Sequence, residues 1–245
     1  LRSANLTGAS LAASDLRNVN LTGMNLSGAD LSEANLTDTN LSGVDLSNSN
    51  LSGADLHHTD LSGAKLIGAK LIGANLTGAN LLGADVSRTD LTDVNLTDVN
   101  LTDVRLSDGN LSGMNLSGIK MTKANLTNAS LTGANLTSVN LTGADLTGAD
   151  LSGANLTDVD VSGANLTGVK LRSATLFGAV LKNSNLSNAI LSDTDLRSVI
   201  LTEVDLSGAD LRDVSLTGVD LSGVDLSGAT PSGADLSDAD LSGAN

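Results

Sequence analysis

Few side chains here are of the kinds that do chemistry, and their spacing is rigid. The two histidines, His57 and His58, are adjacent, and there is no cysteine. A zinc site gathers three or four His, Cys or carboxylate ligands on one point, and this pair has neither a Cys nor a third His to join it. A solvated corner is the expected role. Asp93, Asp98, Asp103 and Asp108 recur every five residues. Two carboxylates close together in a cleft can do acid–base work, and calcium needs several oxygens converging on one point. What these four can do depends on whether the fold gathers or spreads them. Seventeen asparagines begin Asn-Leu-Ser/Thr, the pattern of an N-glycosylation acceptor. Serine is abundant, but no histidine is placed to activate one as a triad requires. None of the 26 glycines opens a phosphate-cradling Gly-x-x-x-x-Gly-Lys run. The chain is expected not to be an enzyme, with no catalytic, cofactor-binding or metal-binding residues.

The spacing of those residues belongs to the whole chain. Cut every five residues from Leu1, the sequence gives 49 pentapeptides without remainder. The first slot is Leu in 45 of them, the exceptions being Val86, Met121, Val161 and Pro231. The second is Ser or Thr in 37, the third Gly in 25, the fourth Ala in 25 and Val in 13, and the fifth Asn or Asp in 36. A fixed short period is the mark of a repeat architecture. In a helix, successive leucines would advance by roughly 140° and form no stripe. In a straight strand, an odd period sends them to alternate faces. A bent path buries them all. Ala4, Asn5 and Leu6 then form a three-residue strand with Ala4 and Leu6 inward, and Thr7 and Gly8 turn the corner, where glycine's conformational freedom is useful. Repeating strand and corner winds a tube with Leu and Ala inside and Asn or Asp outside, its coils joined by backbone hydrogen bonds as in other solenoids. The expected fold is an all-β parallel solenoid without interrupting loops.

Ala29-Asp30-Leu31-Ser32 and Ala74-Asn75-Leu76-Thr77 resemble the repeat of the pentapeptide repeat family, which reads Ala-(Asp/Asn)-Leu-x-x, and the resemblance runs through all 245 residues. It implies a right-handed parallel quadrilateral β-helix with four pentapeptides per coil. At about 20 residues per coil the chain would make about twelve coils, and at roughly 4.8 Å each a tube about 58 Å long. Residues 20 apart would stack. On that register Asn75, Asn95, Asn115, Asn135 and Asn155 form one ladder, open to two readings: amides that hydrogen-bond to each other along the stack, or carriers of glycans. Asp93, Asp98, Asp103 and Asp108 would be spread one per corner around a coil as solvated charge.

Composition bounds the partners. The net charge is −15 and the pI about 4.2, so direct nucleic-acid binding is not expected. No apolar run approaches the ~20 residues of a membrane span, so no membrane insertion is expected. With one Phe and no Trp or Tyr, the core must be Leu with Ala or Val. The unbroken repeat argues for a single solenoid over 1–245, read as a segment of a longer chain or a filament-forming unit. A narrow filled tube has no pocket, so no small-molecule substrate is expected.

Residues that leave the repeat are the remaining candidates. Lys65 and Lys70 stand in fifth slots, and Ile67, Ile72 and Leu82 in second slots on different sides of the tube. Phe177, Val180, Ile190 and Ile200 occupy outward slots. Val180 should touch Ile200 with Phe177 close by, an apolar contact patch. From residue 191 onward eleven acids face Arg197 and Arg212. There Asp205 stacks on Asp225 and Asp220 on Asp240, a candidate acidic contact surface. Pro231 falls in a Leu slot and removes a ladder donor.

Two functions follow. The first is a non-enzymatic structural or scaffold rod, built into an extracellular filament by end-to-end stacking or by a long repeat tract, with protein partners or copies of itself. The second comes from the resemblance, since some family members present a duplex-like acidic rod to type II topoisomerases such as gyrase. A generic partner-binding solenoid is a third form of the same idea. An extracellular or cell-surface location is favoured over a bacterial cytoplasm.

Overall fold

One repeat shows how the chain spends its backbone donors. In Leu26–Asp30, the Leu26 N–H donates to the Asp45 carbonyl at 2.7 Å, the Gly28 N–H to Ser47 at 2.9 Å and the Asp30 N–H back to Ala9 at 2.9 Å. The Ala29 N–H closes a turn onto the Leu26 carbonyl at 3.0 Å. The fifth donor, the Ser27 N–H, points outward and binds Oδ1 of Asn25 at 2.9 Å. All five are satisfied, three of them between coils, as a buried backbone demands.

The structure is a computed structural model whose described residues are 5–245. Parallel bridges join fifth-slot residues to those 20 positions on, from Ser10↔Asp30 to Asp220↔Asp240. Four pentapeptides therefore close one turn. The bridges are single residues rather than the expected three-residue strands. The turn between first and fourth slots consumes four residues and leaves only the fifth to pair. The instance expected at Ala4–Leu6 falls partly outside the described residues, since Ala4 is not among them.

The turn puts its third residue in the left-handed region. Among the described residues every third-slot φ lies between 53° and 79° except that of Ser198. Glycine accepts this without strain at Gly28 (φ 67°), and Asn or Asp, tolerant of the same conformation, replaces it at Asn48 (φ 58°) and Asp98 (φ 57°).

The chain divides into two compact units, Leu1–Asn110 with Ile119–Ala124, and Leu111–Gly118 with Asn125–Asn245. From Leu21 to Val224, first-slot leucines and fourth-slot Ala or Val are buried, whereas among the described residues of the end coils they are half-buried or, as at Leu241, exposed. Each buried Leu contributes about 1.5–3 kcal/mol through removal from water. In the first unit some fourth slots are polar: Thr39, Thr59 and Thr89 donate their hydroxyls to the Leu16, Leu36 and Leu66 carbonyls at 2.8, 3.0 and 3.2 Å. Ser49, fully buried, has a hydroxyl without a partner. In the second unit Ser184 and Thr194 donate to carbonyls of their own turns, Leu181 and Leu191, both at 2.5 Å. Pro231 keeps its turn, with the Ala234 N–H on its carbonyl at 2.9 Å. It lines a cavity of about 80 Å³ with Leu211, Leu216, Leu226, Ala229 and Leu236.

Candidate functional site

The fifth slot has a role that its polarity alone does not announce. Its carboxylate or amide oxygen accepts the next repeat's outward N–H, and often the hydroxyl beside it. Asn75 takes the Thr77 N–H at 3.1 Å and its Oγ1 at 2.6 Å. Asn95, Asn115, Asn135 and Asn155 hold the N–H groups of Thr97, Ser117, Thr137 and Thr157 in the same way, at 3.0–3.2 Å. Asn75 pairs with Asn95 in one unit, and Asn135 with both Asn115 and Asn155 in the other. Nδ2 of Asn135 donates to Oδ1 of Asn115 at 3.0 Å, and Nδ2 of Asn75 to Oδ1 of Asp55 at 3.1 Å. Asn95, Asn115 and Asn155 are exposed, Asn75 and Asn135 half-buried.

The other chemistry-bearing groups stay apart. Asp93, Asp98, Asp103 and Asp108 are exposed third-slot residues with left-handed backbones. The His57 and His58 rings stack with centroids 3.8 Å apart, and His58 Nδ1 lies 3.8 Å from Asp38 Oδ1. Among the described residues no three His, Cys or carboxylate side chains come together as a metal site would need. Nor is any helix there long and apolar enough to cross a membrane.

The acidic pairs take the expected register: Asp205 bridges Asp225 and Asp220 bridges Asp240. Hydrogen bonds from the Ser222 side chain and backbone hold Asp220 below the usual carboxylate range, and those from the Ser227 backbone and side chain do the same for Asp225. Three arginines are engaged by carboxylates two residues before them. Arg212 forks onto Asp210 at 2.7 and 2.6 Å, Arg197 onto Asp195 at 2.9 and 2.6 Å, and Arg17 onto Asp15 at 2.8 and 2.7 Å. Sequence reasoning missed these forks. Their signal is Asp-Leu-Arg, a fifth-slot acid followed by a second-slot arginine. The Arg212 fork, working against burial, brings Asp210 down to about 2.

Two of the apolar candidates meet. Val180 and Ile200 form one rung. Ile200 is 49% exposed and Phe177, the only aromatic residue apart from the histidines, 63%. Beside Phe177 an open groove of about 610 Å³ runs along Ser173, Thr175, Asp193, Asp195 and Arg197. A surface without pockets was expected, and this corner departs from that. Its cause is local. Ser198, at the groove's edge, leaves the left-handed conformation. Among the described residues, Leu176 and Gly178 lack the coil-to-coil bonds that the repeat would give them with Asp195 and Arg197.

Similarity to known proteins agrees with the repeat. Pentapeptide repeats, in eight copies, match residues 1–32, 29–66, 59–98, 100–137, 134–172, 174–213 and 215–245. HetL, a pentapeptide repeat protein involved in heterocyst differentiation regulation in the cyanobacterium Nostoc sp. strain PCC 7120, is 31% identical over 99% of this chain and 92% of its own, with a TM-score of 0.41. A pentapeptide repeat protein of the Arabidopsis thaliana thylakoid lumen is 34% identical over 45% of this chain and 66% of its own, with a TM-score of 0.32. QnrB1, a plasmid-mediated fluoroquinolone resistance protein, is 21% identical over 89% of this chain and 90% of its own, with a TM-score of 0.40. No curated protein matches the chain. All three superpositions fall below 0.5, but the repeats cover all but a few residues: the chain belongs to the pentapeptide repeat family and takes that family's right-handed quadrilateral β-helix fold.

Proposed function

We propose that this chain is a non-catalytic structural scaffold that holds protein partners, or further copies of itself stacked end to end, on an extracellular filament or cell surface. The supporting observation is the use made of its polar groups. Backbone donors are consumed between coils, and fifth-slot oxygens cap the outward N–H groups. Asp93, Asp98, Asp103 and Asp108 stand exposed on the turns of successive repeats. What remains for function is an outer surface of repeated, rigidly spaced side chains, which suits binding along a face. Sedimentation velocity and electron microscopy over a rising concentration series test the assembly reading. Species growing in steps of the 24.5 kDa chain are expected; isolated single chains at every concentration would count against self-assembly. Mass spectrometry of the protein from its own source reads the glycan arm, which predicts hexose-sized increments on Asn-Leu-Ser/Thr sites.

A second reading is favoured by one observation, the acidic rungs Asp205↔Asp225 and Asp220↔Asp240 on a chain of net charge −15. Columns of ionised carboxylates at about 4.8 Å spacing could present a DNA-like field to a type II topoisomerase. A gyrase supercoiling assay decides it: inhibition weakened by Asp-to-Asn changes at these four positions supports imitation of DNA, and no effect at large molar excess removes it.

A further inference from the structure

The apolar rung is not isolated on its face. The fifth-slot column through it contains Asp160, Val180 and Ile200, joined by successive bridges, and the next position in the 20-residue register is Asp220. An apolar step two coils high thus has a bridged carboxylate, Asp160, on one side, and on the other Asp220 follows in the 20-residue register without a bridge to Ile200. Burial pushes Asp160 up, but hydrogen bonds from Ser162 outweigh it and leave the carboxyl below its usual range. Phe177 stands at the corner beside the step, along with the groove described above.

The same substitutions leave backbone groups unserved. Where Thr175, Val180 and Ile200 replace Asn or Asp, the following N–H groups, of Phe177, Lys182 and Thr202, lose the side-chain oxygen that the repeat provides. They find no acceptor among the described residues. In intact repeats this N–H points outward at the fifth-slot oxygen. The patch therefore offers apolar surface, outward donors and two flanking negative charges together.

We propose that this face, centred on Val180, Ile200 and Phe177, binds an extended segment of a protein partner carrying an apolar side chain between two basic ones. This rests on the scaffold reading above and names its contact. Spacing and charge fix the occupant. At the repeat's spacing of about 4.8 Å per coil, three steps of the register separate Asp160 from Asp220 by roughly 14 Å. An extended chain rises about 3.4 Å per residue, so side chains four residues apart on one face are separated by a similar roughly 14 Å. A Lys-x-Ile-x-Lys segment places its cations on the two carboxylates and its isoleucine on the apolar step. Its carbonyls are available to the unserved N–H groups, and its outward donors and acceptors remain in water.

The test titrates fluorescein-labelled Lys-Thr-Ile-Thr-Lys, and Glu-Thr-Ile-Thr-Glu as control, into the 245-residue chain by fluorescence anisotropy. The lysine peptide should bind at least tenfold more tightly. The triple variant Phe177→Thr, Val180→Asn, Ile200→Asn returns each position to the repeat's own residue types, so its circular dichroism should match the parent. It should bind the lysine peptide at least tenfold more weakly although every acid is retained. Asp160→Asn with Asp220→Asn should lose a similar factor, while the amide oxygen introduced at each position still caps the N–H of Ser162 or Ser222. Equal affinity in the triple variant overturns the assignment and means general attraction to an acidic surface, which leaves the scaffold reading intact. No preference between the peptides in the parent also overturns it, and the scaffold reading then rests on the assembly measurement. A dimer that the triple variant abolishes, seen by sedimentation, assigns the face to a second copy and overturns the peptide reading.

Discussion

Replacing Asn135 by Ala removes three hydrogen bonds at once. Oδ1 accepts the Thr137 N–H at 3.1 Å and the Thr137 hydroxyl at 2.6 Å, and Nδ2 donates to Asn115 at 3.0 Å. The first resembles a helix N-cap, a side-chain oxygen serving an otherwise orphaned backbone donor, and losing such a cap costs about 1 kcal/mol. The amide rung contributes about 0.5–1.5 kcal/mol net. The hydroxyl can turn to water, so its loss adds little. The expected cost is about 2 kcal/mol, read as a shift of the urea midpoint at unchanged slope. Two companions separate the contributions. Asn155→Ala removes the corresponding cap at Thr157 and should cost about 1 kcal/mol. Asn135→Asp keeps the acceptor and loses only the amide donor, so it should cost about 1 kcal/mol or less. An Asn135→Asp variant as unstable as Asn135→Ala would refute the reasoning, because the cap would then carry no weight.

Three further outcomes follow from particular residues. Ser49→Ala should raise stability by about 1–2 kcal/mol in the same urea assay, since it removes a buried hydroxyl without a partner and installs the repeat's usual residue. Asp225→Asn should stabilise the chain at low salt and lose that advantage at high salt, because it turns the Asp205↔Asp225 like-charge rung into an amide–carboxylate rung of the kind Asn50 makes with Asp30 at 3.1 Å. Asp210 sits at about 2 in the folded chain against an ordinary value of 3.8. A carboxyl depressed by folding contributes stability above its unfolded pKa and loses it as pH falls from about 4 toward about 2. Arg212→Ser should shrink that part of the acid-side loss and move the Asp210 carboxyl titration, followed by carbon-detected NMR, upward.

The solenoid was legible in the sequence because burial writes itself in a period. Leu in the first slot and Ala or Val in the fourth admit neither a straight strand nor a helix, and from Leu21 to Val224 those residues form the buried core. The meeting of Val180 with Ile200 was legible too, as two apolar residues 20 apart where the repeat wants Asn or Asp. Three features were not. An Asn facing solvent and an Asn capping a backbone donor look alike in composition, so the second role of the fifth slot needed the turn geometry at Asn25 and Ser27. The Asp-Leu-Arg forks depend on how a second-slot side chain folds back over its corner. The groove by Phe177 depends on the backbone of Ser198 leaving the left-handed region, which nothing in Leu196-Arg197-Ser198-Val199 announces.

The dual role of the fifth slot bears on where recognition can reside. A fifth-slot Asn or Asp holds its neighbour's N–H, so a partner meeting it finds an oxygen already engaged and a surface much like that of every other coil. A position that abandons Asn or Asp gives up the cap, and the lost bond costs stability. Substitutions of this kind cluster at Thr175, Val180, Ile190 and Ile200, where they gain apolar surface at the same time. Lys65 and Lys70 make a similar exchange, each followed by an outward isoleucine, Ile67 or Ile72, the latter 61% exposed. The identity of a scaffold of near-identical coils therefore lies in its departures from the repeat. A chain carrying Asn at 175, 180, 190 and 200 should be more stable to urea than its parent. If the Phe177 face is the contact, that chain should also be unable to distinguish the lysine peptide from a scrambled one of equal charge. A gain in stability without that loss of discrimination would separate capping from recognition and move the search for the contact face to Lys65–Ile72.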